Sequence, residues 1–590
     1  MVKKAFSLLI CFSFLLGTAP LLADAAPKES IHEKISQVAV GNKGMVATAT
    51  PYASKIGADV LRKGGNAVDA AVAIQFALNT TEPMMSGIGG GGFMMVYDAK
   101  TKKTSIVDSR ERAPNGAKPT MFLDQDGKPI PFEKRHIQGN AVGVPGTLKG
   151  LDGALKRWGT VPMSKLISPS VKLAEHGFPI DSVLAKAISD NKDKLSRSAA
   201  GKVFVPNGVP LKEGDRLVQK DLAKTFKLIQ KKGPDVLYRG VAGAALAAEV
   251  QRFGGTLNTN DLKKYNITWD KPIWGDYKGY QIASMPPPSS GGIFLLQMLK
   301  TLDDFHLSQY PVKSWQKYHL LSEAMHLSYA DRAVYAGDPE FVKVPEKGLL
   351  DPSYISDRQK LISLNTVNPS PKAGDPWKYE NGQANYDQKA KQDKKAIGQT
   401  THFTVADKWG NVVSYTTTIE QVFGTGIMVP GYGFMLNNEL TDFDAVPGGA
   451  NEVQPNKRPL SSMSPTIVFK DGKPALSVGS PGGPTIIASV LQTILNKLEY
   501  GMKLKAAVEE PRIYTNSLSS YTQEDGIPKD VIEKLNSMGH HFTKPSEEIG
   551  NVQSIEINGK EGRFKGVADS SRNGAAIGID DVKRHHKDHR

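Results

Sequence analysis

Apolar and polar positions alternate twice in one short stretch of the chain. Thr400 to Ala406 alternates, Asp407-Lys408-Trp409-Gly410-Asn411 supplies turn residues, and Val412 to Thr418 alternates again with many Val and Thr. This pattern predicts a β-hairpin. With the turn centred on Trp409, Ala406 opposes Val412 and Thr400 opposes Thr418. Directly opposed residues hold their Cβ atoms about 5 Å apart, so this register brings two hydroxyls together at the open end of the hairpin.

Elsewhere the period is helical. Tyr52 to Leu78 predicts helix broken at Gly64-Gly65, and Ala67, Val68, Ala70, Ala71, Ala73 and Ile74 predict that its second part is buried nearly all round. Gly87 to Gly92 is a glycine-rich loop, and Phe93 to Tyr97 follows as a strand. The loop fits G-x-G-x-x-G, but a dinucleotide site needs a strand before it and a helix after it. Here the order is reversed, so the glycines serve close backbone packing. Residues 150–330 alternate helical patterns with Pro/Gly turns. Pro286 to Gly292 forms a rigid loop leading into an apolar helix from Ile293. Leu320, Leu321, Ala324, Met325 and Leu327 recur at helical spacing across 318–332, with Glu323 and Arg332 among them.

Pro369 to Lys395 is rich in Lys, Asp, Gln and Asn and poor in large apolar residues. Such a stretch buries little and predicts a mobile linker or exposed loop. The tail from Lys583 to Arg590 is charged and predicts a frayed end. His585, His586 and His589 within it are read as part of that tail, not as metal ligands.

The first 25 residues change the picture of the compartment. Lys3 and Lys4 precede an apolar run from Ala5 to Leu16, and Ala23-Asp24-Ala25 offers a small-residue cleavage site. This is the layout of a secretory signal peptide over 1–25. The run is short for a membrane anchor. The mature chain is therefore expected to be secreted, with no membrane anchor after signal cleavage. Cys11 is the only cysteine and lies in that segment. Disulfides, thiolate catalysis and cysteine metal sites are thereby excluded from the mature protein.

Net charge is +14 over 590 residues, and the excess lies before Thr400. The lysines are scattered, with no stripe and no interleaved aromatics, so nucleic-acid binding is not indicated. A basic surface can instead attract anionic substrates or the cell wall.

The chemistry enters through a series of motifs. Gln399-Thr400-Thr401-His402-Phe403 resembles the processing site of the γ-glutamyltranspeptidases. The resemblance extends to Glu82-Pro83, Ser86 to Phe93 and Arg110-Glu111-Arg112-Ala113-Pro114. It continues through Phe423-Gly424-Thr425-Gly426, Leu436-Asn437-Asn438-Glu439, Asp442-Phe443, Arg458 to Thr466 and Gly479-Ser480-Pro481-Gly482-Gly483. Motifs in this number and order make the resemblance specific.

The resemblance implies scission between Gln399 and Thr400, with Thr400 as nucleophile. A threonine hydroxyl is a weak nucleophile, and a free α-amine on the same residue can serve as its general base. Thr418 is implied as the hydroxyl partner, in agreement with the hairpin register. Arg110 is implied as the clamp for the substrate α-carboxylate, with Ser461 and Ser462 as added donors. Arg112 lies on the same strand face, and the Arg-Glu-x-Ala-Pro match selects Arg110. Asp442 is implied for the α-ammonium, helped by Glu420 and Glu439. The backbone N–H groups of Gly482 and Gly483 are implied as the oxyanion hole.

The implied fold is α+β: the αββα four-layer sandwich of N-terminal-nucleophile hydrolases, two antiparallel sheets between helical layers. A large subunit over 26–399, with 369–399 as processing linker, and a small catalytic subunit over 400–590 would form one domain. The implied reaction is ping-pong transfer from glutathione, glutamine or another γ-glutamyl donor to water, amino acids or peptides, without metal or organic cofactor. Only fifteen residues separate Asp442 from Arg458. This resembles the members that lack a lid over the glutamyl pocket, and an open pocket would admit larger donors such as poly-γ-glutamate. Two other readings stand beside this one. A cephalosporin or glutaryl acylase on the same fold would have no substrate ammonium for Asp442. A non-catalytic secreted binding protein would carry an inert processing loop.

Overall fold

The computed structural model describes residues 36–388, 398–543, 545–558 and 563–580. The signal segment, the whole charged tail from Lys583 to Arg590 with His585, His586 and His589, and residues 389–397 of the linker lie outside them. Two seven-stranded sheets dominate the architecture. In spatial order the first holds Val38–Gly41, Arg563–Ala568, Gln553–Asn558, Lys473–Gly479, Thr466–Lys470, Tyr280–Ser284 and Ile273–Tyr277. The second holds Ala575–Ile579, Gly44–Thr48, Thr401–Asp407, Val412–Thr418, Gly91–Asp98, Lys103–Asp108 and Thr268–Asp270. All neighbours within each sheet are antiparallel.

The layering follows from alternation along the strands. In Thr401–Asp407, Phe403 and Val405 join an apolar cluster with the helices Pro51–Arg62, Ala67–Thr81, Thr147–Trp158, Met163–His176 and Lys220–Lys232. The alternate positions face the first sheet: Thr404 and Ser477 share a hydroxyl–hydroxyl hydrogen bond of 2.6 Å, and the His402 ring lies against Gly479. The far face of the first sheet packs on Gly291–Asp303, Trp315–Tyr335 and Thr485–Leu498. The result is helix, sheet, sheet, helix, as the resemblance implied. Strands from both sides of residue 400 interleave in both sheets. The helix Ala67–Thr81 is buried along its whole length. Each large apolar side chain removed from water in this way contributes about 1.5–3 kcal/mol.

The observed elements follow the pattern closely. The first helical region divides into Pro51–Arg62 and Ala67–Thr81. Asn66 caps the second helix and forms a capping box with Asp69, so the break at Gly64-Gly65 is followed by a strong restart. The strand after the glycine loop begins at Gly91 and the helix after the proline loop at Gly291, each two residues before its first large apolar residue. The stretch 369–388 is largely exposed, yet anchored in places. Gly374 N–H donates to Asp331 at 2.8 Å, Tyr335 donates to the Gly374 carbonyl at 2.6 Å, and Trp377 packs on the apolar core. Among the described residues no helix is long and apolar enough to cross a membrane.

Candidate active site

The hairpin forms in the register read from its alternation: Ala406 pairs with Val412 and Thr401 with Thr417. Thr400 therefore lies opposite Thr418, and their hydroxyl oxygens are 3.4 Å apart. The Thr418 hydroxyl donates to the Gln399 carbonyl oxygen at 2.9 Å and accepts the Glu420 N–H at 2.8 Å. Gln399 N–H donates to the Glu420 carbonyl at 2.6 Å. Gln399 is thus held on both sides, and the carbonyl of the peptide bond before Thr400 is polarised by a hydroxyl.

Glycine is required where this segment meets the sheets. A Cβ on Gly90 would lie 2.0 Å from the Thr418 carbonyl oxygen, so the glycine-rich loop packs directly on the end of the hairpin. Gly483 has φ +56° and sits against Gly398, whose nitrogen would be 2.8 Å from an added Cβ. The Gly482 and Gly483 N–H groups donate no hydrogen bond among the described residues. They immediately precede the fourteen-residue helix Thr485–Leu498, whose positive end adds to their field.

Arg110 is buried on the loop after Lys103–Asp108. It pairs with Glu439, pairs with Asp442 at 2.7 Å, and donates to the carbonyls of Pro459 and Leu460 at 3.2 and 3.0 Å. Glu111 lies 4.0 Å from the same guanidinium. Arg112 points elsewhere and is held by both oxygens of Glu340 at 2.9 Å. The structure therefore brings Arg110, not Arg112, to Asp442 and Glu439. Burial raises the Glu439 carboxyl, while Arg110 opposes that shift. Burial and the adjoining Glu439 raise the Glu111 carboxyl well above the usual carboxylate range, and Arg110 opposes that shift, so one guanidinium serves three carboxyl groups.

Asp442 keeps 31 % of its side chain exposed, which marks it as the open side of this cluster. Glu420 accepts from Gln421 at 2.9 Å and from Thr441 at 3.3 Å. Ser461 Oγ accepts the Met463 N–H at 3.1 Å, and Ser462 Oγ accepts from Arg332 at 2.9 Å. Neither serine hydroxyl donates to an acceptor among the described residues. Within the hairpin's first strand, burial lowers the His402 imidazole to about 3, so it stays neutral.

Three neighbours of the site carried no role in the sequence reading. Arg572 donates to the Gln399 side-chain carbonyl at 3.0 Å and pairs with Glu548 at 2.6 Å. Glu82 is buried 3.9 Å from the same guanidinium, and burial raises its carboxyl to about 7 against the pull of Arg572. Lys194 donates to the Val422 carbonyl at 2.5 Å and so pins the loop beyond Glu420; burial lowers it to about 8. Glu82 stood within a quoted motif, but nothing in sequence links it to Arg572. No cluster of three or more metal-ligating side chains converges among the described residues.

Comparison with known proteins gives the family and the fold. Residues 53–579 match the family described as gamma-glutamyltranspeptidase. The chain is 70 % identical over 576 residues to the glutathione hydrolase proenzyme of Bacillus subtilis (strain 168), covering 97 % of this chain and 98 % of the relative. It is similar to the crystal structure of a cephalosporin acylase from Bacillus halodurans, with a TM-score of 0.81, 26 % identity and coverage of 94 % of this chain and 99 % of the other. It is also similar to the Helicobacter pylori gamma-glutamyltranspeptidase, with a TM-score of 0.54, 38 % identity and coverage of 57 % of this chain and 96 % of the other.

Proposed function

The chain belongs to the γ-glutamyltranspeptidase family, and on that premise we propose that it cuts itself between Gln399 and Thr400 and then works as a γ-glutamyltransferase and glutathione hydrolase. The observation that carries this reading is the contact between Thr418 and the Gln399 carbonyl, with the Thr400 hydroxyl alongside. Thr400 Oγ attacks the Gln399 carbonyl carbon, the C–N bond breaks, and the acyl group moves from nitrogen to oxygen. Water hydrolyses that ester and leaves Thr400 with a free α-amine. The fragments 26–399 and 400–590 remain together because strands of both complete each sheet.

In the processed enzyme the α-amine accepts the Thr400 hydroxyl proton as Oγ attacks the γ-carbonyl of the donor. The oxyanion forms at the Gly482 and Gly483 N–H groups, each such donor being worth about 3 kcal/mol. The proton passes to the leaving amine, and a γ-glutamyl ester remains on Thr400. Water then releases glutamate, or an amino acid or peptide takes the acyl group. Arg110, Ser461 and Ser462 bind the donor α-carboxylate, and Asp442 with Glu420 and Glu439 binds its α-ammonium. The donor carboxylate must compete with Asp442 for Arg110, and Asp442 is the more open of the two acids paired to it. The short Asp442–Arg458 segment favours an open pocket that accepts poly-γ-glutamate. The first 25 residues direct export.

The acylase reading shares the fold but leaves Asp442 without a substrate group to bind. Steady-state kinetics on L-γ-glutamyl-p-nitroanilide and glutaryl-p-nitroanilide test the choice. The proposal requires preference for the γ-glutamyl donor and acceleration by glycylglycine. Preference for the glutaryl donor would overturn it.

A further inference from the structure

Arg332 lies on the helix Trp315–Tyr335, before the cleavage site, and reaches to the serine pair that follows it. Its Nε donates to Ser290 Oγ at 2.8 Å, and its Nη2 donates to Ser462 Oγ at 2.9 Å. Ser290 relays the first arm: its hydroxyl and its N–H donate to the Ser461 carbonyl at 2.7 and 2.8 Å. Both arms therefore end on Ser461-Ser462.

The other arginines around the site are matched with acids: Arg110 with Glu439 and Asp442, Arg112 with Glu340, and Arg458 with Asp108 and Asp338. Arg332 is half-buried and has no carboxylate partner among the described residues. A guanidinium has only donors, so Ser462 Oγ must accept from it and turn its own hydrogen away. That hydrogen has no acceptor among the described residues. A hydroxyl that accepts from a cation is polarised into a better donor, and an unpaired cation in a half-buried setting favours an arriving anion.

We infer that Arg332 is a positioning residue for recognition of the donor α-carboxylate, acting through the Ser462 hydroxyl and bracing Ser461 through Ser290. The inference rests on the assignment of Ser461 and Ser462 to that carboxylate.

The test uses the processed enzyme and two donors, L-γ-glutamyl-p-nitroanilide and 4-aminobutyryl-p-nitroanilide, which keeps the ammonium but lacks the α-carboxylate. Arg332→Gln should raise KM for the first donor about tenfold, change kcat by less than about threefold, and leave the second donor unaffected. In a Ser462→Ala background the same substitution should have a clearly smaller effect, about threefold or less, because only the Ser290–Ser461 arm remains to be lost. Equal losses on both donors, or a full effect that persists without the Ser462 hydroxyl, would overturn the inference. Arg332→Lys keeps the charge but loses one arm, and it decides the question if Arg332→Gln does not process: a selective rise in KM supports the role, and an unchanged KM removes it. Absence of any preference for the carboxylate-bearing donor in the unsubstituted enzyme would overturn the underlying assignment as well. A preference that Arg332→Gln leaves intact would overturn this inference alone.

Discussion

The Thr418 hydroxyl donates to the Gln399 carbonyl oxygen at 2.9 Å. On the proposed mechanism, the side chain opposite the nucleophile thus holds the group that the nucleophile must attack. On the same mechanism this contact does the work of an oxyanion donor in the uncut chain. Thr418→Ala should slow self-cleavage by about a hundredfold, the usual loss for one such donor, and Thr418→Ser should retain most of the rate. The disappearance of precursor with time, followed on a denaturing gel, measures both.

Gly483 offers an independent handle on the same step. An added Cβ would sit 2.8 Å from the Gly398 nitrogen, at a φ of +56°. Gly483→Ala should therefore displace the segment before the scissile bond and leave most of the chain uncut. Cleavage at the unsubstituted rate would mean that the segment seats elsewhere.

The hairpin and its register were legible because a period of two and a compact turn fix which residues face each other. The break after Arg62 and the burial of Ala67–Thr81 were legible for the same local reasons. The charge cluster was not. Arg110 and Asp442 are 332 positions apart, and no periodicity says that they meet. The family resemblance named both residues, and Glu111 within the same motif, but not the direct pairing of Arg110 with Asp442 or the place of Glu111 beside it. Arg332 was visible only as a charged residue in an apolar helix, and Arg572 not at all, because each gains meaning only from what it touches across the cleavage site.

Arg110 balances buried acids, so its loss should cost stability as well as donor affinity. Arg110→Met should lower the unfolding free energy by about 3–5 kcal/mol, the usual result of stranding a buried charge. Asp442→Asn acts at the open edge of the cluster and should instead reduce the preference for γ-glutamyl over glutaryl donors. Urea unfolding and the two-donor comparison separate these effects.

His540, from the chain after Thr400, meets His319 from the chain before it. Its Nε2 lies 2.8 Å from His319 Nδ1, and burial lowers it to about 3, with the neighbouring His319, His326 and His541 adding to the shift. An unfolded histidine titrates near 6.5, so the unfolded chain binds the proton more readily. The stabilising contribution is complete above that value and is lost as pH falls toward the folded value. The buried Glu82 and the half-buried Asp270, both raised to about 7, act in the opposite direction. The informative quantity is therefore the difference between the unsubstituted protein and His540→Gln. The advantage of the unsubstituted protein should be about 2 kcal/mol larger at pH 7.5 than at pH 5. Equal differences at the two pH values would contradict it.

The central claim is that Thr400 becomes an N-terminal residue. The mass of the purified protein under denaturing conditions tests this directly. Two fragments that join between Gln399 and Thr400 are the predicted result. A single intact chain that still turns over γ-glutamyl donors would contradict the account, because Thr400 would then have no free amine to act as its base.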